Sequence, residues 1–301
     1  MFVGCRRGAG PEQAGWQPGR RADRQRVHGQ SFASARARLR ALGVRPRKGL
    51  SQSFLEDQRV AAAIVRAARL TPTGDVLEVG PGLGVMTRRL AKQARRVVAV
   101  EIDPALAASL DDEGIDNLEV VNQDVLAFDP EAYFDAPYTV VANLPYHITS
   151  PALRRLLAAG PPFARRLVVM LQAEVAERIA ALPGEMSALA VVIQVQAQVA
   201  LVRRVAAAAF YPRPKVDSAV VLLEPKGEAE RPVRPERLAA FTTLVQAGFK
   251  QPRKTLANSL ADGLNLSRAE ASDRLRRAAI DPGLRPQALA PADWVRLFET
   301  E

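Results

Sequence analysis

A glycine-rich turn between a short apolar strand and a helical segment constrains this chain more than any other feature. Residues 76–84 read Val-Leu-Glu-Val-Gly-Pro-Gly-Leu-Gly, and residues 85–93 have helical composition. Glycines at alternating positions let the backbone pass close to a ligand, because no Cβ intervenes. A strand, a glycine-rich turn and a helix start together form the nucleotide-binding corner of a doubly wound α/β domain. The sequence therefore predicts a Rossmann-like α/β fold.

The spacing of the glycines separates two classes of nucleotide-binding enzyme. A dinucleotide fingerprint, G-x-G-x-x-G, needs Gly or Ala at position 85, where this chain has Val85. The pattern present is E-x-G-x-G-x-G, with Glu78 on the strand and Gly80 and Gly82 in the predicted cofactor loop. This pattern resembles the first motif of class I S-adenosylmethionine-dependent methyltransferases. We favour a methyltransferase over a dehydrogenase, and a tight turn without a ligand is the remaining alternative.

Basic residues are concentrated at the N-terminus. Residues 1–48 contain twelve Lys or Arg and two acidic residues, whereas the rest of the chain contains thirty of each. We predict that residues 1–44 are a basic, disordered arm or an over-extended gene start, with an organelle transit peptide as the alternative. A shift to Pro, Glu, Lys and Arg at residues 225–235 indicates a linker. This organisation predicts a catalytic methyltransferase domain at residues 45–225 and a smaller all-helical domain at residues 226–301.

Several classes of protein are excluded by composition. Cys5 is the single cysteine, so internal disulfides are excluded. With only His28 and His147 besides, no zinc site of the usual Cys/His form can be assembled. No apolar run reaches about 18 residues, so no membrane span is expected. We expect a cytoplasmic monomer that uses no metal.

Two further predicted strands end in acidic residues. Residues 97–103 form an apolar, β-branched strand, and Glu101 lies near its end, about 20 residues beyond Gly82. A carboxylate at that distance can accept hydrogen bonds from both hydroxyls of a ribose. Residues 118–124 form the next strand, and Asp124 at its end can accept from an adenine amino group. A solvated loop acid or an ordinary turn is the alternative for each.

The fourth predicted strand, residues 138–142, is followed at once by Asn143-Leu144-Pro145-Tyr146. The exocyclic nitrogen of adenine is a poor nucleophile, because its lone pair is delocalised into the ring. Hydrogen bonds from both amino protons to the Asn143 side chain and the Leu144 carbonyl can localise that pair. Pro145 fixes the turn, and Tyr146 offers a flat face to an unstacked base. The motif predicts methyl transfer to adenine by positioning, without a general base; a plain turn is the alternative.

Candidate RNA contacts come later in the chain. The remaining predicted strands are residues 167–171, 189–202 and 217–223, the last two forming an antiparallel hairpin at the sheet edge. Between them, Phe210 can cover the second face of the target base or pack in the core, and Arg213 and Lys215 can hold phosphate.

A basic segment follows the predicted linker. Lys250, Arg253 and Lys254 have the i, i+3, i+4 spacing of one helix face, with a helix restart at Pro252. Such a face suits a phosphate backbone, and a merely solvated face is the alternative.

Several of these motifs, in this order, resemble those of the bacterial small-subunit rRNA adenine dimethyltransferases, the KsgA/RsmA family. The matching segments run from about Arg45 to the C-terminus: residues 49–55, 76–84, 101, 124, 143–146, 214–221 and 249–260.

This resemblance implies transfer of two methyl groups from S-adenosylmethionine to each of two adjacent adenines near the 3′ end of 16S rRNA, during small-subunit assembly. By the family's pattern, residues 143–146 hold the target amine. The same pattern lines the cofactor site with Ser53, Leu55, Gly80, Glu101, Asp124 and Asn143. Ser53 departs from the family's usual Asn and Ser51 from its usual Gly. The alternatives are a 23S rRNA adenine methyltransferase of the macrolide-resistance type and a non-catalytic ribosome assembly factor.

Overall fold

A mostly parallel seven-stranded sheet lies at the centre of the structure, a computed structural model that describes residues 34–50, 52–158 and 163–300. The strands of this part of the chain are β1 (Phe54–Leu55), β2 (Asp75–Val79), β3 (Arg96–Glu101), β4 (Leu118–Asn122), β5 (Tyr138–Asn143), β6 (Ala164–Gln172), β7 (Ala197–Val205), β8 (Phe210–Tyr211) and β9 (Ser218–Pro225). The large sheet has the order β4-β3-β2-β5-β6-β9-β7. Strands β2 to β6 are parallel to one another, and β9 runs antiparallel to both of its neighbours, β6 and β7. The predicted Rossmann-like methyltransferase sheet is therefore confirmed.

The direction of winding reverses beside β2. From β2 the chain adds β3 and β4 on one side, then returns to place β5 on the other. In open α/β sheets, ligands bind outside the carboxyl ends of the strands at such a reversal. The ends of β2, β3 and β5 thus define the place where a ligand is expected.

Helices cover both faces of the sheet because successive residues of each buried strand point to opposite sides. Leu77 and Val79 pack into the core on one face, while Val76 packs into the core on the other. The helices are α1 (Ala35–Ala41), α2 (Gln58–Ala67), α3 (Thr87–Ala91), α4 (Pro104–Asp111), α5 (Thr149–Ala158), α6 (Ala173–Ile179), α7 (Ala188–Gln196), α8 (Leu238–Gly248), α9 (Leu256–Leu264), α10 (Arg268–Arg277) and α11 (Pro291–Glu299).

The predicted strand over residues 189–202 is wrong in its first half. Helix α7 occupies Ala188–Gln196, and only Ala197–Val205 forms the edge strand β7. Ser187 caps the helix by accepting a hydrogen bond from the Ala190 N–H. The apolar run is β-branched, yet it is buried among α8 and α11 on several sides, which favours a helix over an edge strand.

A second core lies among α7 to α11. Trp294 and Phe241 are fully buried there, and Phe298 packs edge-on against Phe241. Because α7 lies before the predicted linker but contributes Val191 to this core, the two predicted domains share packing. Ser34–Glu301 forms one compact unit, and the boundary at residue 225 stays a prediction.

The arm predicted over residues 1–44 is wrong in its last part. Residues 34–44 contain α1, capped by Ser34, and Leu39 of this helix is only 2% exposed. Apolar residues at positions 35 and 39 lie one helical turn apart, so the helix buries one face despite its three arginines. The first 33 residues lie outside the described residues, as does Ser51.

The described residues contain no helix long and apolar enough to cross a membrane. They also contain no group of three or more His, Cys, Asp or Glu residues that could hold a metal ion.

Candidate active site

The glycine-rich loop begins where β2 ends and turns back over the sheet edge. Gly80 has a φ of +68° and Gly82 a φ of +53°, in the left-handed region that side chains other than glycine rarely adopt. A Cβ on Gly82 would lie 3.1 Å from the Phe54 ring. The backbone conformation therefore favours glycine at this position, and a side chain there would also force the Phe54 ring to shift.

Glu101 joins the end of β3 to this loop. Its Oε2 accepts a hydrogen bond from the Gly82 N–H at 3.0 Å, and its Oε1 accepts from the Asp103 N–H at 3.0 Å. Burial raises the pKa of the Glu101 carboxyl, while these backbone donors lower it. The side chain is 5% exposed and borders the cleft outside the strand ends, so the structure places it where the ribose acceptor is predicted.

Asp124 follows β4 and borders the same cleft. Its Oδ1 accepts a hydrogen bond from the Leu126 N–H at 2.9 Å, which fixes the turn after the strand. Among the described residues no hydrogen bond to its Oδ2 is found. The Asp124 Oδ1 thus stabilises the turn, and its Oδ2 can accept a hydrogen bond from a ligand.

The Asn143–Tyr146 motif leaves β5 beside the glycine-rich loop. The Asn143 Nδ2 donates to the Ser53 carbonyl oxygen at 3.5 Å, so its Oδ1 is the atom left to accept from a substrate. Leu144 is buried and its N–H donates to the Met170 carbonyl oxygen. The Tyr146 hydroxyl lies 3.2 Å from the Ser218 hydroxyl. These contacts fix the motif at both ends.

Strands β1 and β8 form a small antiparallel sheet that closes the cleft on one side. Leu55 faces Phe210 in its register, which brings the predicted cofactor segment next to the predicted base-stacking residue. Phe210 is 5% exposed, packs with the core beneath α2 and α3, and also borders the cleft. Both interpretations of Phe210 therefore have support in its position.

The cleft gathers residues from every segment described above. Its walls include all the predicted cofactor-binding and target-amine residues: Ser53, Leu55, Gly80, Gly82, Glu101, Asp124, Asn143, Leu144, Pro145, Tyr146 and Phe210.

Sequence reasoning missed several residues of the cleft. Phe54 touches the Gly82 position, and Ile102 is 45% exposed directly after Glu101. Gln52 borders the cleft and donates to the Asp103 carboxylate at 3.1 Å. Ile102 could have been predicted from the sequence, because it is a large apolar residue at the exposed end of a buried strand. Phe54 and Gln52 could not, because their positions depend on how residues 50–55 fold over the loop.

Glu78 is an acidic group buried beneath the loop. It is fully buried on β2, and among the described residues neither carboxylate oxygen makes a hydrogen bond. Burial raises the pKa of Glu78 to about 8; the nearby Thr87 hydroxyl and Arg88 cation lower the pKa, and the Glu101 charge raises it. At neutral pH this side chain is therefore protonated, which avoids an unpaired charge in the core.

The predicted RNA-contacting residues fall into two places. Arg213 and Lys215 are exposed on the connection between β8 and β9, just after Phe210. The helix face predicted for Lys250, Arg253 and Lys254 is wrong. Helix α8 ends at Gly248 and α9 begins at Leu256, so the three cations lie on the connecting segment.

Lys250 differs from its two neighbours in its contacts. Its Nζ lies 3.0 Å from an Asp262 carboxylate oxygen and donates to the Asp262 carbonyl oxygen at 3.1 Å. The pKa of Asp262 is lowered by hydrogen bonds from Lys250 and Gln251. Arg253 and Lys254 are exposed. None of the three cations borders the cleft.

Comparison with known proteins identifies one family. Residues 43–300 match the family described as ribosomal RNA adenine dimethylase. A protein from Dehalococcoides mccartyi named ribosomal RNA small subunit methyltransferase A is 41% identical over 278 residues, covering 88% of this chain and 92% of the relative. A protein of the same name from Pediococcus pentosaceus is 40% identical over 276 residues, covering 87% of this chain and 92% of the relative.

Solved structures with the same fold include a 23S rRNA methyltransferase and a dimethyladenosine transferase. The 23S rRNA methyltransferase ErmE is 34% identical, with a TM-score of 0.64, and the match covers 82% of this chain and 98% of that one. A dimethyladenosine transferase from Plasmodium falciparum is 26% identical, with a TM-score of 0.69, covering 81% of this chain and 95% of that one.

Proposed function

The chain belongs to the ribosomal RNA adenine dimethylase family, and on that premise we propose that it dimethylates adenines of 16S rRNA in the small ribosomal subunit. The methyl donor is S-adenosylmethionine, and the targets are two adjacent adenines near the 3′ end. The named relatives and the family support the substrate class. The arrangement of the cleft supports the chemistry.

One observation carries the proposal: the glycine-rich loop and the Asn143 motif meet at the reversal of the sheet. A Cβ on Gly80 would lie 3.2 Å from the Asn143 carbonyl oxygen. A molecule bound against Gly80 is therefore adjacent to the segment that holds the target amine. Methyl transfer needs donor and acceptor in line at close range, and this contact supplies that proximity.

The residues of the cleft fit the cofactor group by group. The positive-φ glycines leave room for a ligand close to the backbone. Glu101 can accept hydrogen bonds from the ribose hydroxyls, because each of its carboxylate oxygens has two lone pairs. Each oxygen uses one lone pair to accept from a backbone N–H, that of Gly82 or that of Asp103. Asp124 can accept from the adenine amino group, and the exposed Ile102 side chain offers an apolar face beside it. Ser53 and Leu55 complete the wall.

The chain's own residues make the target nitrogen reactive by position. When bound, S-adenosylmethionine supplies an electrophilic methyl group on its sulfonium sulfur. In the first transfer the Asn143 Oδ1 and the Leu144 carbonyl accept hydrogen bonds from the two amino protons of the adenine and direct the nitrogen lone pair towards that methyl group. As the N–CH3 bond forms and the S–CH3 bond breaks, the nitrogen loses one proton to solvent, and in the second transfer one of the two acceptors holds the remaining proton. Tyr146 and Phe210 hold the two faces of the base. The Tyr146 hydroxyl is held by Ser218, which fixes the plane of its ring.

In this proposal, exposed cationic side chains bind the phosphate backbone of the RNA. Arg213 and Lys215 lie closest in sequence to the base-holding Phe210, and Arg253 and Lys254 extend the contact into the helical region. We place the protein in the cytoplasm, where ribosomal subunits are assembled, as a monomer.

A transfer assay tests the function directly. Unmethylated small subunits and large subunits are incubated separately with the protein and labelled S-adenosylmethionine, and the rRNA is digested for nucleoside mass analysis. Dimethyladenosine from the 3′ end of 16S rRNA supports the proposal. Small subunits that already carry the modification serve as the control and should accept no label.

The similarity to ErmE makes one alternative worth testing in the same assay. Label found only in large-subunit rRNA would assign the protein to the 23S type. No transfer to either subunit, together with stable binding to the small subunit, would instead support a non-catalytic assembly factor.

A further inference from the structure

Helix α1 packs on the outside of the cofactor cleft. It lies before the residues that match the family, 43–300. Its Leu39 is 2% exposed and packs with Phe54, Leu83 and Leu106. Those three residues also border the cleft. The helix therefore supports the cleft wall from behind.

Arg38 extends from this helix to the glycine-rich loop. Its Nη1 donates to the Leu83 carbonyl oxygen at 2.5 Å, and its Nη2 contacts Glu113 at 3.3 Å. Arg88 donates to the same Leu83 oxygen at 3.0 Å, donates to the Gly84 oxygen at 2.6 Å, and also pairs with Glu113. Two cations and one carboxylate thus hold the outer side of the loop, while Glu101 holds its inner side through Gly82.

The start of α1 is fixed to Glu56, which lies between β1 and α2. The Ala35 N–H donates to the Glu56 side chain at 2.6 Å, and the Glu56 N–H donates to the Ala209 carbonyl oxygen at 2.8 Å. Residues 53–55 and Phe210 border the cleft on this side. Helix α1 therefore contacts both the glycine-rich loop, through Arg38, and the segment around β1, through Ala35.

We infer that α1 is a strap that holds the glycine-rich loop in its ligand-binding shape, with Arg38 as a positioning residue for the cofactor. This inference rests on the proposed cofactor, but not on the proposed RNA substrate. Burial lowers the pKa of the Arg38 guanidinium, and the neighbouring Arg88 cation lowers it further. Holding two cations together is unfavourable unless their shared acceptors are in place, so the shape of the loop and the attachment of α1 depend on each other.

The first test measures binding of S-adenosylhomocysteine to the full-length chain by calorimetry. Arg38→Ala should weaken binding about tenfold, within the usual range for coupled sites. Arg38→Lys keeps a cation but loses the fork geometry, so its affinity should be intermediate. Arg40→Ala changes an exposed arginine of the same helix and should bind like the wild type.

Steady-state kinetics separate positioning from general destabilisation. Arg38→Ala should raise the KM for S-adenosylmethionine about tenfold while kcat at saturation stays within about twofold of the wild type. A purely structural role would lower the melting temperature and leave the affinity of the folded fraction unchanged, which would overturn the inference.

The second test uses the wild-type protein and needs no variant. Coupling is reciprocal, so S-adenosylhomocysteine should slow amide hydrogen exchange in α1. Helix α10 serves as the reference and should be unaffected. Unchanged exchange in α1, with binding confirmed, would overturn the inference. Failure of the wild type to bind the ligand would overturn both this inference and the proposed cofactor. Binding without rRNA methylation would refute only the proposed substrate.

Discussion

The Glu101 carboxylate holds the glycine-rich loop by accepting a hydrogen bond from the Gly82 N–H at 3.0 Å. Its other oxygen accepts from the Asp103 N–H at 3.0 Å, so one side chain fixes the loop after β2 and the end of β3 together. The spacing of Glu101 in the sequence predicts a ribose acceptor. The loop contact could not be predicted in the same way, because it depends on the register between the two strands.

Replacing Glu101 with Gln should weaken binding of S-adenosylhomocysteine about 10- to 100-fold. The amide has only one acceptor oxygen, so its NH2 group must face either the Gly82 or the Asp103 N–H. A hydrogen bond to a charged group contributes roughly 1.5–3 kcal/mol, which corresponds to that range of affinity. Isothermal titration calorimetry measures the change.

The matched control for this variant is Glu119→Gln. Glu119 lies on β4, is partly exposed and pairs with Arg96. Glu119 does not border the cleft, so the Glu119→Gln variant should bind S-adenosylhomocysteine with the affinity of the wild type. Equal affinities for the two variants would contradict a function of Glu101 in the cofactor site.

Gly82→Ala should lower both stability and cofactor affinity. The φ of +53° costs a residue with a side chain roughly 1–2 kcal/mol, and the new Cβ would lie 3.1 Å from the Phe54 ring, which must move. We expect a lower urea midpoint and at least about tenfold weaker binding of S-adenosylhomocysteine, on the scale of one lost hydrogen bond.

Gly184→Ala separates backbone strain from the effect on the site. Gly184 also has a positive φ, +108°, but nothing lies within 4 Å of a Cβ there, and it does not border the cleft. Its urea midpoint should fall while its ligand affinity stays at the wild-type value. A similar loss of affinity in both variants would show that the effect of Gly82→Ala is global.

The parallel strands could be predicted because each is a short β-branched run that ends at a glycine or a polar residue. Helix α7 could not be predicted, because its Val- and Ile-rich sequence fits a buried strand equally well. Only its packing against the helical core determines that it forms a helix. Ser187 before the run was the available sign of a helix start. The apolar spacing of α1 is hard to recognise in the sequence, because arginines alternate with the apolar residues. Ser34 and Gly43 at its two ends were the available signs of a helix start and a helix end.

The candidate site was predicted best where one strand end carries one polar residue. Glu101, Asp124 and Asn143 each follow that rule, and the structure brings all three to one cleft. Contacts made by loops depend on the whole fold, so the position of Phe54 against Gly82 was missed. The basic segment at residues 250–254 has helical spacing but no helix, because Pro252 and the start of α9 at Leu256 leave it as a connection.

Asn143→Ala should abolish methyl transfer while cofactor binding largely survives. The Asn143 Oδ1 is the side-chain acceptor for the target amine, and its amide makes only a 3.5 Å contact with the Ser53 carbonyl. Loss of one such preorganised group costs about 100- to 1000-fold in kcat. Single-turnover transfer to unmethylated small subunits measures the rate, and calorimetry with S-adenosylhomocysteine on the same preparation is the control. Wild-type turnover by this variant would refute the mechanism.

Arg253→Ala and Lys254→Ala should each weaken binding to the small subunit and make it less salt-dependent. Each lost phosphate contact changes the slope of log K against log salt concentration by roughly 0.7–0.9. Lys250→Ala should have a smaller effect, because Lys250 already pairs with Asp262. Arg178→Ala, which removes a cation paired with Glu174 on α6, is the control and should leave the slope unchanged. An unchanged slope in the double variant R253A/K254A would contradict the proposed contact.

Glu78 should make the protein less stable as the pH rises. Burial raises its pKa from the ordinary value of 4.5 to about 8 in the folded state. Between these two values the folded state binds one more proton than the unfolded state. The free energy of unfolding therefore falls with rising pH, by up to about 1.4 kcal/mol per pH unit, and this contribution is complete below pH 4.5 and lost through pH 8.

Glu78→Gln should remove this pH dependence, because the amide cannot ionise in the core. Urea unfolding of wild type and variant at pH 5, 6.5 and 8 gives the difference in slope (pH values chosen to span roughly the range between the two pKa values). Relative to the wild type, the variant should gain stability at each step up in pH. Glu119→Gln, at an exposed position, should follow the wild-type curve. Parallel curves for wild type and Glu78→Gln would mean that Glu78 is ionised in the folded state and has a charged or polar partner beneath the loop.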